Sequence, residues 1–394
     1  MVKGIVLDKT KITVCIMAAA MMQKSYAALA PAITGMTLAF PGHSVLSVQN
    51  GVSCIHFVGI FSALLSGRLA RVYPKKYLIV AGLALLGAGS LGGFLFHGIL
   101  GMVYLWSVMI GLGVGAFTPA AASLLVDNFE REERNRFSGI QTSFVNGGGM
   151  ILTFTGGLLA AAAWHYSYLA LLLAFPVLLI CLINLPAKKI NVPERAEKLK
   201  MPVQVYYYVL ASFLFMTAYG AFPANISLLI SENSLGSASS AGIATAVFML
   251  GGVVCGVFFS KMSMRLGEFM FSLANIALAL CFFLLYNVKS LPALLAASFI
   301  GGASLSMMLP QGIFSVSART PPGLSAAALS LVVTVAPGLG NMVSPLATNY
   351  LARLLGHNDS RTRLLAAAIM GVMFAAAFFI VTALRRKPDA SDRT

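Results

Sequence analysis

Twelve apolar runs follow one another along the chain, and charged residues are confined almost wholly to the gaps between them. A hydrocarbon core about 30 Å thick is crossed by about 20 helical residues. The pattern therefore predicts helices at 12–39, 45–67, 77–96, 99–126, 137–163, 165–187, 203–231, 238–260, 268–288, 291–318, 322–352 and 363–384. In lipid a helix satisfies its own backbone donors and acceptors, whereas a β-barrel would show short alternating segments, which are not the pattern here. A chain 58% hydrophobic and 10% charged has too few polar groups to clothe a water-soluble globule. The fold class expected is an all-α membrane protein of twelve transmembrane helices.

The formal net charge of +15 does not point to nucleic acid, because the basic residues fall between hydrophobic runs rather than on one folded face. Their alternation is informative. With the N-terminus inside, the even-numbered loops and both tails hold 22 of the 27 Lys and Arg. The odd-numbered loops hold only Lys289, Arg353, Arg361 and Arg363, and Lys24 lies inside the first run. This positive-inside bias places both termini in the cytoplasm. Short loops in a compact chain favour a bacterial inner membrane. Lys9, Lys11 and the Ala28-Leu29-Ala30 triplet mimic a secretory signal, but Gln23 and Lys24 interrupt the apolar stretch, which runs on to Phe40. Cys15, Cys54, Cys181, Cys255 and Cys281 lie inside the runs without metal-ligand spacing and read as packing residues.

Residues 188–202 form the longest polar stretch between runs and divide the chain into a six-helix bundle at 1–187, a cytoplasmic linker at 188–202 and a second six-helix bundle at 203–394. The halves repeat. Tyr26, Pro31 and Ala32 in the first helix correspond to Tyr219, Pro223 and Ala224 in the seventh; the loop from Gly67 to Lys76 corresponds to that from Ser260 to Glu268. Gly111, Gly113, Gly115 and Pro119 in helix four match Gly301, Gly302 and Pro310 in helix ten. Parallel repeats of this kind predict two bundles related by a pseudo-twofold axis along the membrane normal.

With six plus six helices, a basic middle loop and Gly67 opening the loop after helix two, the whole chain resembles the major facilitator superfamily. The loop signature of that family is only partly kept: Gly67, Leu69, Lys75 and Lys76 are present, but Arg71 stands where the family has an acid, and in the second half Arg265 and Gly267 remain beside Met264. The resemblance implies a latch at the cytoplasmic gate around Gly67, Arg68, Arg71 and Arg265. With the acid missing, Asp127 or Glu130 at the inner end of helix four is the expected partner of Arg68 or Arg71. Helix five has Leu152 and Thr153 where antiporters of the family carry a Gly-Pro pair, whereas Gly338, Gly340, Asn341 and Pro345 in helix eleven fit the family.

No nucleophile–base pair, P-loop or metal-ligand cluster is visible, so neither an enzyme nor a cofactor is expected. The informative residues are the ionisable ones within the runs, since a charge at the bilayer centre costs at least about 2.5–3.5 kcal/mol. Lys24 is such a residue, and all twelve acids lie in loops or at helix ends. An anionic substrate is its natural partner; the alternative is a lysine that snorkels, binds helix carbonyls or is kept neutral by burial. Gln23, Tyr26, Tyr219, Gln311 and Asn341 are candidate substrate contacts, the two tyrosines occupying matching positions in the halves; each is also an ordinary packing or interhelix residue in a membrane. His56 is a candidate for coupling a proton to transport, against the plainer reading of a neutral histidine bonded to a neighbouring helix. The expected function is transport of a small anion by alternating access in a monomer, with efflux of amphipathic drugs as the alternative within transport and a membrane receptor as the alternative outside it.

Overall fold

A computed structural model describes residues 2–70, 72–129, 131–187, 201–320 and 325–386. Among them are twelve helices long and apolar enough to cross a membrane. Spans 1 to 6 are Lys9–Ala39, Val45–Leu69, Lys75–Leu95, Leu100–Leu124, Ser143–Ala162 and Trp164–Asn184. Spans 7 to 12 are Val203–Glu232, Ala238–Phe259, Lys261–Tyr286, Leu291–Val316, Ala328–Leu354 and Ser360–Arg385. Apolar side chains such as Leu38, Ile183 and Val257 are about three-quarters exposed, as suits a surface solvated by lipid tails. All five cysteines are free and are buried or half-buried, as packing residues should be.

The chain forms two compact units, one of residues Met1–Arg195 with Ile226–Ala246 and the other of Ala196–Asn225 with Val247–Thr394. Most of the linker, 188–200, lies outside the described residues. Within the first unit, span 1 packs on span 5, span 2 on span 4 and span 3 on span 6. The second unit repeats the scheme, with span 7 on span 11 and span 9 on span 12, and with Ser306 on span 10 donating to the Gly252 carbonyl on span 8 at 2.6 Å. Ser62 and Ser66 on span 2 likewise donate to Leu112 O and Ala116 O on span 4, each at 2.6 Å. Such bonds contribute only about 0.6 kcal/mol each in a bilayer, so close approach of backbones carries more of the cohesion. A Cβ at Gly111 would sit 2.6 Å from Ile55 O, which is why a residue without one stands at that crossing.

Several spans are not continuous α-helices. Span 1 is α-helical to Met22, turns at Gln23 and Lys24, continues as a 3₁₀-helix over Ser25–Ala32 and returns to α over Ile33–Ala39. Span 7 is interrupted at Gly220, between Val203–Tyr219 and Ala221–Glu232. Prolines 31 and 223 explain why these spans are weak: each removes the amide that the carbonyl four residues earlier would have accepted from, and each ring crowds the preceding turn. Span 11 contains a single π-helical stretch, Leu331–Val335, just ahead of Pro337. The interruptions in spans 1 and 7 fall beside the repeated tyrosines Tyr26 and Tyr219.

Candidate functional site

Broken transmembrane helices are where membrane proteins place substrate contacts, because only there does a span offer backbone and side-chain groups that its own ladder has not consumed. At the break in span 1, Lys24 has φ −106° and ψ 20°, and its neighbours are held by tight three-residue bonds, Gln23 N to Ala20 O at 3.1 Å and Ala27 N to Lys24 O at 3.0 Å. The turn directs the Lys24 side chain toward span 5, where Nζ donates to Asn146 Oδ1 at 2.8 Å. Span 5 can come this close because Gly148 lies against the Met21 carbonyl, where any Cβ would collide. Among the described residues, Asn146 is the one side chain Lys24 engages.

Two residues along the chain, the Tyr26 ring meets His56 of span 2 edge to face, with centroids 4.7 Å apart and planes at 80°. Gln23, Lys24, Tyr26, His56 and Asn146 are all half-buried rather than sealed. Of the residues read from the sequence as substrate contacts, Gln23, Lys24 and Tyr26 thus lie in the first unit, with His56 against Tyr26. The pairing of Asn146 with Lys24 joins residues 122 positions apart and has no local signal in the sequence.

The second unit gathers fewer of the candidates. Tyr219, at the break in span 7, packs edge to face on Phe248 with centroids 5.6 Å apart. Asn341 of span 11 lies against Gly220 and donates through Nδ2 to Pro337 O at 3.0 Å. Gln311 stands apart from this break: it is 2% exposed, accepts from Ser263 Oγ at 2.7 Å through Oε1 and donates to Ser315 Oγ at 3.2 Å.

At the ends of the spans nearest the linker, Gly67, Arg68 and Arg265 are exposed. Arg71, Glu130 and the Asp127 side chain, the other members of the expected latch, lie outside the described residues. What the structure does place at this end is a cluster in the second unit that sequence reasoning missed. Glu268 accepts from Arg319 Nη2 at 2.7 Å and from the Tyr208 hydroxyl, while Arg385 Nη1 lies 3.9 Å from its other oxygen. The Arg385 guanidinium also stacks 4.2 Å over the Tyr207 ring. One carboxylate so joins span 7, span 10, span 12 and the start of span 9. Its only sequence signal is an acid directly after Gly267 in the repeated loop.

A second buried cation lies at the opposite end of the second unit. Arg363, 2% exposed, donates through Nε to Asn358 Oδ1 at 3.1 Å, through Nη2 to Asn358 O at 2.6 Å and through Nη1 to Asn225 Oδ1 at 3.3 Å. Beside it Asp359 caps span 12 by accepting from the Thr362 amide at 3.2 Å. Partial burial works against the Asp359 charge, but the hydrogen bonds from Thr362 and the nearby Arg363 guanidinium outweigh it and hold the carboxyl below its ordinary range.

Comparison with known proteins agrees with this architecture. The chain resembles a nucleoside transporter, NupG, with a TM-score of 0.73 at 12% identity over 96% of this chain and 100% of that one. It resembles the POT family transporter PepTSo with a TM-score of 0.76 at 11% identity, covering 96% and 99% of the two chains. A bacterial homolog of the human lysosomal transporter Spinster matches with a TM-score of 0.73 at 15% identity over 97% and 99%. These identities speak for the fold alone. In sequence, 126 residues are 31% identical to the MFS-type efflux transporter phmH of Phaeosphaeria nodorum, a stretch that spans 31% of this chain and 21% of that protein. The Major Facilitator Superfamily profile matches residues 12–228 and again 208–394, one match for each half. The twelve-span chain therefore belongs to the Major Facilitator Superfamily and is a membrane transporter of that family.

Proposed function

We propose that the protein carries a small organic or inorganic anion across a bacterial inner membrane by alternating access, with Lys24 as the counter-charge of the substrate. The observation that carries this reading is the state of Lys24: it stands at the break of span 1, is half-buried, and is met by the neutral amide of Asn146. An ammonium held only by an amide dipole keeps most of its desolvation cost, and a visiting anion would offset it. In this reading the linker end is cytoplasmic, as the distribution of Lys and Arg requires. In this reading Gln23 and Tyr26 of the first unit, and Tyr219 and Asn341 of the second, are substrate contacts, and His56 supplies a proton-coupling group.

The test is uptake of labelled anions into proteoliposomes. Lys24→Met should reach the membrane at normal levels and lose at least about 90% of anion uptake, while Lys24→Arg keeps part of it, since charge survives but geometry changes. His56→Gln should abolish stimulation by an imposed pH gradient and spare exchange at equal pH. Full anion uptake by Lys24→Met would end the reading. Efflux of amphipathic compounds is the second reading, favoured by the name of the phmH relative; transport of cationic amphiphiles with unaltered rates in Lys24→Met would establish it instead.

A further inference from the structure

We propose that the Lys24–Asn146 pair is built for a monovalent carboxylate, in preference to dianions and to neutral amides of the same shape. The inference rests on the anion reading above and narrows it to one substrate class.

Two features lead there. The first is the sense of the hydrogen bond. Asn146 Oδ1 faces the ammonium at 2.8 Å, so the acceptor end of the amide is engaged and its NH₂ group points the other way. Lys24 has three N–H donors and spends one on Asn146. The pair therefore has more unspent donors than acceptors: two N–H groups of the ammonium and those of the amide nitrogen, against one remaining lone pair on Oδ1. A carboxylate brings two oxygens that only accept, and it fits such a pair through both. A carboxamide of the same outline sets its own NH₂ against these donors and leaves buried polar groups unmatched, the arrangement that discriminates most strongly in binding sites.

The second feature is the number of charges. Among the described residues, Lys24 is the one Lys or Arg of the first unit that lies away from the ends of its span. Arg363, the buried cation of the second unit, has Nε and both terminal nitrogens engaged by Asn225 and Asn358. One positive charge is therefore available, and it neutralises one negative charge. A dianion would keep a net charge of −1 in a low-dielectric interior, where an uncompensated charge is costly. The Tyr26–His56 pair, two residues along the same broken helix, supplies ring surface for the organic remainder of the ligand.

The experiment is ligand-induced thermal stabilisation of the purified full-length protein. The probes are lactate, pyruvate and benzoate as monocarboxylates, lactamide and benzamide as neutral counterparts, and succinate and glycerol 3-phosphate as dianions. At least one monocarboxylate should stabilise the wild type, with its amide and the dianions at least about tenfold weaker. Asn146→Asp places a permanent anion on Lys24; it should fold, melt at or above the wild-type temperature and lose the monocarboxylate response at least about tenfold. Dianions that bind as tightly as monocarboxylates, with a response lost in Lys24→Met, would overturn the monovalent inference and leave the anion reading intact. Equal binding of acid and amide, or a normal response in Asn146→Asp, would also overturn it. No response of the wild type to any monocarboxylate would overturn this inference alone, and a normal monocarboxylate response in Lys24→Met removes the anion reading and this inference together.

Discussion

Glu268 and Lys24 are both charged side chains held between spans, and they are treated in opposite ways. Glu268 is multiply paired: one oxygen accepts from a phenol and a guanidinium, a second guanidinium lies 3.9 Å from the other oxygen, and the side chain is 18% exposed. Lys24 has one neutral amide. A charge paired with several helices at once works as a clamp, because moving any of its partners loses a favourable contact. An ammonium with unused donors is a poor clamp and a good receptor. The difference teaches that, in a membrane chain, completeness of pairing separates structural charges from functional ones better than depth does. Arg363, as deeply buried as any charge described, falls on the structural side, with its fork filled by Asn225 and Asn358.

The largest expected effect follows from Lys24: transport should collapse in Lys24→Met while the melting temperature stays unchanged or rises, since replacing a poorly paired, half-buried charge by an apolar side chain is neutral to stabilising. A melting temperature that fell along with transport would place Lys24 among the structural charges and break the contrast. Glu268→Gln should do the reverse. It leaves Arg319 and Arg385 facing a neutral amide and should cost about 1–3 kcal/mol by denaturant titration, toward the low end because both guanidiniums are about 40% exposed; substrate affinity should hold. A smaller effect is expected at Asp359, whose loss as a cap in Asp359→Ala should cost about 0.5–2 kcal/mol. Because its carboxyl is depressed in the folded protein, that contribution is present above the ordinary carboxylate range and disappears as pH falls through the depressed value. A pH-stability profile of wild type against variant that runs parallel in acid would rule this out.

The twelve spans were legible in the sequence because length and apolarity are local properties: the expected run at 45–67 is span 2, Val45–Leu69, and that at 291–318 is span 10, Leu291–Val316. The family was legible for the same reason, from glycines, prolines and loop signatures in fixed order. Lys24 stood out as a charge in an apolar run. What the sequence withheld was pairing. Nothing near Asn146 distinguishes it from Asn225 or Asn275, and only the packing of span 5 on the break of span 1 selects it. The Glu268 cluster draws on four helices, and each member taken alone reads as an ordinary loop charge or interfacial tyrosine. Pro31 marks span 1 as weak, but the turn falls earlier, at Gln23 and Lys24, where the local backbone angles rather than the proline decide it.

The first compact unit is not simply the first half of the chain, since it includes Ile226–Ala246. Ser227 in that segment donates to Pro31 O at 2.7 Å, and Gly242 lies directly against Gly157. A polypeptide emerges from the ribosome beginning with its N-terminus, so six spans can enter the bilayer while the unit they belong to is still unfinished. The Pro31 carbonyl then has no Ser227 hydroxyl until the linker and span 7 have been synthesised, and the small-residue seam at Gly157 has no partner until the start of span 8 has followed. Two contacts of the earliest helices, at Pro31 and at Gly157, are thus completed only by residues made after the linker.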